Sequence, residues 1–139
     1  MTEQNRIQIA RNVIDAFNAN DWEQTKQLLA DSVYKELGTQ RQLTGADQII
    51  PAVQGWKQAM PDIKGTVTTA FASGNQVTLE VTWAGTHTGP LVGATGTIPA
   101  SGKHQVTFGA WIFDFDGDKI KESRHYFDML TFLQQIGAA

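Results

Sequence analysis

Val106-Thr107-Phe108-Gly109-Ala110-Trp111-Ile112-Phe113, followed by Asp116-Gly117-Asp118 and then by Ile120-Lys121-Glu122-Ser123-Arg124-His125-Tyr126-Phe127, is the stretch that decides the fold. The first run has a period of two. Val106, Phe108, Ala110 and Ile112 alternate with Thr107, Gly109, Trp111 and Phe113, so this strand is apolar on both faces. An Asp-Gly turn between two such runs folds them into a hairpin. The same period holds upstream. Val77, Leu79, Val81 and Trp83 alternate with Thr78, Glu80 and Thr82, and the turn Ser73-Gly74-Asn75 joins them to a strand with Val67, Thr69 and Phe71 on one side. Between these pairs, Gly85 to Gly102 reads as a loop rich in glycine and proline.

The first 60 residues carry helical signals instead. Ile7, Ala10, Ile14 and Phe17 form one apolar stripe. Asn20 and Asp21 offer caps for a second short helix bearing Trp22, Leu28 and Leu29. Val33 to Leu37 is a short candidate strand, and Gln40 to Gly45 reads as a polar loop. Thr44 and Asp47 have the spacing of a capping box and open a third helix, with Ile49, Val53, Trp56 and Met60 on one face. Pro51 is comfortable only in a first turn, so this helix is expected to start late or to kink, and Met60-Pro61 ends it. Asp128 to Ile136 reads as a closing helix. Helices first, then consecutive strands, describe an α+β domain with a mostly antiparallel sheet. A curved sheet with helices over one face leaves a concavity. No repeat or linker divides the chain, so residues 1–139 are read as one domain.

Composition narrows the function. The chain is 41% hydrophobic and 18% charged, with a net charge of −3 and no basic run, so it shows no footprint for nucleic acid. There is no cysteine, which excludes disulfides, thiolate chemistry and Cys-type zinc sites. The histidines at 87, 104 and 125 form no local ligand pair, and the glycines of the central loop do not bridge a strand and a helix as a phosphate loop does. Neither metal nor cofactor is expected. The first residues, MTEQNRIQIARN, lack an apolar signal core, and no run approaches the roughly 20 apolar residues of a membrane span. The expectation is a cytoplasmic protein without membrane contact.

Three segments carry a family likeness: Val13 to Trp22; Gly85-Thr86-His87-Thr88-Gly89-Pro90-Leu91-Val92-Gly93; and Asp116 to Asp128 with Leu133-Gln134-Gln135-Ile136-Gly137. In this order and spacing they resemble the SnoaL-like polyketide cyclases, or ester cyclases, of the NTF2-like superfamily. The resemblance implies a cone: a curved sheet wrapped around a pocket for one small hydrophobic molecule. It implies cofactor-independent aldol closure, which needs a base beside a carbonyl and a donor for the enolate. It places an acid/base aspartate where this chain has His125. It also places a second polar pair on the preceding strand at the positions of Phe108 and Ala110. Binding without catalysis, and hydrolase or dehydratase chemistry on the same cone, are the alternatives, because one fold hosts many reactions.

The candidate catalytic residues are His125, Asp128 and His87, and each has a plainer reading. His125 is an imidazole in the aspartate's place, or an outward histidine beside Lys121 and Ser123. Asp128 is a catalytic carboxylate, or the N-cap of the closing helix. His87 sits in a Gly-X-His-X-Gly bend, either at the pocket mouth or simply in a loop. The candidate substrate-binding residues are Tyr34, Trp56, Trp83, Arg124 and Tyr126. The two tryptophans suit a flat ligand or plain core packing. Arg124 and Tyr126 share a face with Glu122, which reads as a wet pocket wall or as a salt-bridged exterior. The doubly apolar strand at 106–113 also predicts a homodimer, because its second face needs cover that a monomer lacks.

Overall fold

The computed structural model describes residues 2–93 and 96–139. Three helices come first in the chain, interrupted by a short strand pair: α1 (Glu3–Asn18), α2 (Trp22–Leu29), β1 (Val33–Glu36), β2 (Arg41–Thr44) and α3 (Ala46–Ala59). The sheet hairpins follow as β3 (Lys64–Ser73), β4 (Gln76–Thr86), β5 (Leu91–Gly93), β6 (Gly96–Ile98), β7 (His104–Asp116) and β8 (Lys119–Phe127), and α4 (Met129–Gln135) closes the fold. Six strands form one sheet in the order β2-β1-β8-β7-β4-β3, and β5 pairs with β6 apart from it. Every pairing is antiparallel except β1 with β8, which is parallel. The fold is therefore the mixed α+β arrangement expected, with helices over one face of the sheet.

Local chemistry sets the helix ends. Thr2 accepts a hydrogen bond from the Asn5 amide and starts α1, whose stripe of Ala10, Val13, Ile14 and Phe17 is buried. Asp21 caps α2 in the same way through the Gln24 amide. The expected capping box at Thr44 does not form. Gly45, at φ +79°, precedes α3 with no side-chain cap, and the Thr44 amide donates to Gln48 Oε1 instead. The helix does start later than Thr44, at Ala46, but Pro51 is still its sixth residue and lies inside it rather than in its first turn. Pro51 and Asp47 are both exposed, so the carbonyl that the proline leaves without a partner faces water.

Two segments expected to be loops contain strands. Arg41–Thr44 is an edge strand hydrogen-bonded to β1, and the glycine-rich segment holds the β5–β6 hairpin. Strands of only three or four residues carry too little period-two signal to stand out from loops. Two bulges also change which side chains share a face. In β3 the register slips between Val67 and Thr69, so Val67 packs inward while Phe71 is exposed. In β8 the slip falls at Lys121: Asp114 faces Glu122 and Phe115 faces Ile120. Ile120, Ser123 and His125 are thereby all buried, although simple alternation grouped His125 with the solvated Lys121.

The inner face of the sheet carries Val77, Leu79, Val81 and Trp83 from β4, and Gln105, Thr107, Trp111, Phe113 and Phe115 from β7. Phe108 and Ala110 lie on the outer face, Phe108 at 72% exposure, so they are not the inward polar pair that the family likeness suggested. The polar side chains that β7 turns inward are Gln105 and Thr107. No helix among the described residues is long and apolar enough to cross a membrane.

Candidate functional site

A pocket opens between the inner sheet face and the helices. Its cavity volume is about 60 Å³, and the empty space in and around it, open solvent included, is about 550 Å³. Helices supply Phe17, Val53, Trp56 and Phe132 to its walls, Met60 joins them just past the end of α3, and strands supply Trp83, Trp111 and Phe127. The walls are thus mostly aromatic. The polar groups are few and grouped: Tyr34, Glu36 and His125 on neighbouring strands, with Gln105 and Thr107 further along β7. An apolar cleft with a few convergent polar atoms is the usual make-up of a small-molecule site.

His125 is inward and buried. Its ring stacks on Trp111, directly opposite on β7, with centroids 4.6 Å apart and planes 11° apart. Gly109, two residues before Trp111, leaves the room for it: a Cβ at Gly109 would lie 2.8 Å from His125 Nε2. The indole N–H of Trp83 donates to that Nε2 at 3.1 Å. An acceptor at Nε2 fixes the proton of the neutral ring on Nδ1, which stands 3.3 Å from the Tyr34 hydroxyl. Tyr34 in turn donates to Glu36 Oε2 at 2.9 Å. The result is a directed chain from Trp83 through His125 and Tyr34 to the Glu36 carboxylate.

The parallel β1–β8 register makes this chain possible, since it sets Tyr34 beside Ser123 and Glu36 beside His125. Glu36 also receives Thr39 Oγ1 at 2.6 Å, Arg41 Nε at 2.8 Å and Trp56 Nε1 at 3.2 Å. Burial pushes its carboxyl up, but the Thr39 hydroxyl, the Arg41 charge and hydrogen bond, and the Tyr34 hydroxyl outweigh it, so its pKa ends below the ordinary value. Burial pushes the Tyr34 phenol well up, and the neighbouring carboxylate adds to the effect. Burial also pushes the His125 imidazole down to about 4, against a smaller upward pull from Glu36. The imidazole at neutral pH is therefore uncharged.

Tyr34, Trp56 and Trp83 stand in the pocket wall with His125. The other candidates stand elsewhere. Arg124 is on the outer face, where Asp114 and Glu122 hold it at 2.6 and 2.7 Å, and Tyr126 is exposed beside it on the same face. Side chains two residues apart on a strand share a face, so an inward His125 turns both neighbours outward. Asp128 is exposed and caps α4 through the Thr131 amide and hydroxyl. His87 is fully buried but outside the pocket. The Ser101 amide donates to its Nδ1 at 3.2 Å, and its Nε2 has no partner among the described residues. Glu36, Gln105, Thr107 and Trp111 were not singled out from the sequence. The alternation that includes Tyr34 would have pointed to Glu36. Among the described residues no group of three potential ligands could hold a metal ion.

The model of the SnoaL-like polyketide cyclases matches residues 7–136. The chain belongs to this family. No curated protein sequence matches this SnoaL-like chain significantly. Solved structures do, and they include the ketosteroid isomerase-like fold. AclR of Streptomyces galilaeus, a proposed hydroxylase, is 19% identical with a TM-score of 0.83, over 99% of this chain and 88% of AclR. IdmH of Streptomyces antibioticus, a proposed polyketide cyclase, is 22% identical with a TM-score of 0.79, over 95% of this chain and 98% of IdmH. An LEH-like epoxide hydrolase of M. tuberculosis is 17% identical with a TM-score of 0.72, over 96% of this chain and 90% of that one. At these identities the SnoaL-like chain shares a fold with them, and the fold accommodates differently named activities.

Proposed function

We propose that this chain is an enzyme that moves a proton at the carbon beside a carbonyl of a small, flat, hydrophobic compound, as in aldol-type ring closure or isomerisation. One observation carries the reading: the His125 Nε2 lone pair and the Trp83 N–H stand 3.1 Å apart on the wall of an aromatic pocket. Enolisation needs such a pair, a base for the α-hydrogen and a donor for the carbonyl oxygen. An entering carbonyl takes the indole N–H onto its oxygen and presents its α-hydrogen to the freed Nε2. The C–H bond breaks, an N–H bond forms, and the electron pair moves to the carbonyl oxygen, where the indole N–H stabilises it. The imidazolium so formed is backed by Tyr34 and the Glu36 carboxylate. Ring closure follows if the enolate carbon attacks a second carbonyl of the same molecule, whose oxygen takes the proton back. The atoms balance without a cofactor.

The rival reading is a protein that binds the compound and does no chemistry. It draws on the same chain of hydrogen bonds, because both His125 nitrogens are already engaged within the protein. Deuterium uptake at the α-carbons of β-tetralone, followed by NMR in deuterium oxide, separates the two. The parent protein accelerates uptake, and His125→Ala slows it by about 10²–10⁴-fold while leaving the ketone's Kd largely intact. His125→Asp, which supplies the carboxylate typical of the family likeness, retains exchange. A parent protein that binds the ketone without accelerating uptake is a binder, and the enzyme reading is then wrong.

A further inference from the structure

We infer that the pocket takes a ligand with an anionic tail, and that Lys57 is the group that holds that tail at the rim. This rests on the pocket reading above and adds a charge to its ligand. Lys57 follows Trp56 on α3. Its ammonium stands 4.4 Å from the centre of the Phe17 ring and donates to the Ile63 carbonyl oxygen at 3.3 Å. Phe17 and Ile63 both line the pocket, as does Trp56. Lys57 is half-buried and is not itself a lining residue; its ammonium reaches the pocket through these two contacts with residues that line it.

The charges around the site show why this one is available. Arg41, the other cation beside the pocket, is matched by Glu36 at 2.8 Å. Lys35 and Arg124 are matched by carboxylates on the outer face. Lys57 has no carboxylate within ion-pair distance among the described residues. One carbonyl and one aromatic face leave the ammonium with unused donor capacity, since it carries three N–H groups. Burial lowers its pKa from the ordinary lysine value, and no anion offsets this, as befits a cation that has lost water without gaining a partner. A carboxylate at the edge of an aromatic ligand supplies what is missing. It meets a partly dehydrated ammonium while the rings lie against Phe17 and Trp56, and such charge-assisted contacts are the stronger hydrogen bonds.

The test uses naphthaleneacetate and its neutral methyl ester, with binding to the full chain measured by calorimetry. The parent binds the carboxylate more tightly than the ester. Lys57→Met weakens the carboxylate by about three- to tenfold and leaves the ester within about twofold, which erases the preference. Lys57→Arg, which keeps the charge, retains it. Thermal melts of both variants identify any loss that comes from unfolding. If Lys57→Met weakens acid and ester alike, Lys57 only props Phe17 and the inference is wrong. If the parent binds both equally, the pocket reading stands and the anionic tail does not. If the parent binds neither compound, the pocket reading fails as well.

Discussion

Replacing Glu36 by glutamine keeps the shape of the side chain and removes an acceptor from the most heavily hydrogen-bonded group in the pocket. Four side chains donate to the carboxylate: Tyr34 and Trp56 to Oε2, and Thr39 and Arg41 to Oε1. Glutamine has one acceptor oxygen and one donor nitrogen. If the nitrogen takes the Oε2 place it confronts the Trp56 N–H, and if it takes the Oε1 place it confronts the Arg41 Nε–H. Tyr34 and Thr39 can rotate their hydroxyls to accept, but an indole or a guanidinium cannot. One donor is therefore stranded in either orientation, at about 1–3 kcal/mol. Loss of the charge weakens the remaining bonds. The Arg41 pair contributes little beyond this, because Arg41 is 38% exposed. The expected destabilisation is about 2–4 kcal/mol, or roughly 6–15 °C in Tm for a chain of this length. Thermal melts by circular dichroism test it. Because the folded carboxyl has a lowered pKa, its contribution is complete above its ordinary pKa of 4.5 and is lost as the pH falls through the lower folded value. The gap between parent and variant should therefore be largest at neutral pH and close in acid. A gap of less than about 1 °C at neutral pH, or one that stays constant into acid, would refute the argument that the four donors hold an ionised carboxylate.

Three further outcomes are expected. The buried imidazole of His125 resists protonation down to about 4, whereas the unfolded chain takes a proton near 6.5, so stability should fall across that window by about 3 kcal/mol in all, and His125→Gln should flatten the slope of Tm against pH there. Gly109→Ala sets a methyl group against His125 Nε2 while Trp111 blocks retreat of the ring, so it should destabilise by about 1–3 kcal/mol and alter the tryptophan fluorescence, and an unchanged emission spectrum would mean that the ring tolerates the methyl. Phe108, Tyr126 and Phe71 stand exposed on the outer sheet face, so the chain should sediment at micromolar concentration with twice its 15.3 kDa mass, and Phe108→Glu should give the single-chain mass; a parent that sediments as a monomer would show that this face needs no cover.

The sheet was legible because its long strands keep a strict alternation. Val77 to Trp83 read inward as the structure has them, and Trp83 follows from that alone, whereas the strand at 106–113 is apolar on both faces and its alternation did not say that the face of Thr107, Trp111 and Phe113 turns in. What alternation cannot show is a bulge. One unpaired residue at Lys121 moved His125 from the face of a solvated lysine to the face of the pocket, and one at Thr68 separated Val67 from Phe71. The hydrogen-bonded chain was hidden for another reason. Glu36 and Tyr34 belong to a four-residue strand whose partner lies far along the chain, and local pattern carries no information about parallel pairing at that distance. Asp128 was legible in its plainer reading, because a cap depends only on residues three positions apart.

The pairing of β1 with β8 also orders events in time. Tyr34 and His125 are 91 residues apart, and no hairpin connects their strands. Strands β3, β4, β7 and β8 lie in antiparallel succession and can zip from their turns, whereas β1, paired locally only with β2, joins the rest of the sheet only once β8 offers an edge. Closing so long a segment costs entropy before any contact offsets it. The first strand of the chain is thus among the last to dock. Until it does, His125 has no tyrosine beside it and Glu36 has no buried place, so a partly assembled sheet would hold an aromatic hollow without the hydrogen-bonded chain that ends on the Glu36 carboxylate. Closure of the hydrogen-bonded chain marks the completion of folding rather than an early stage of it.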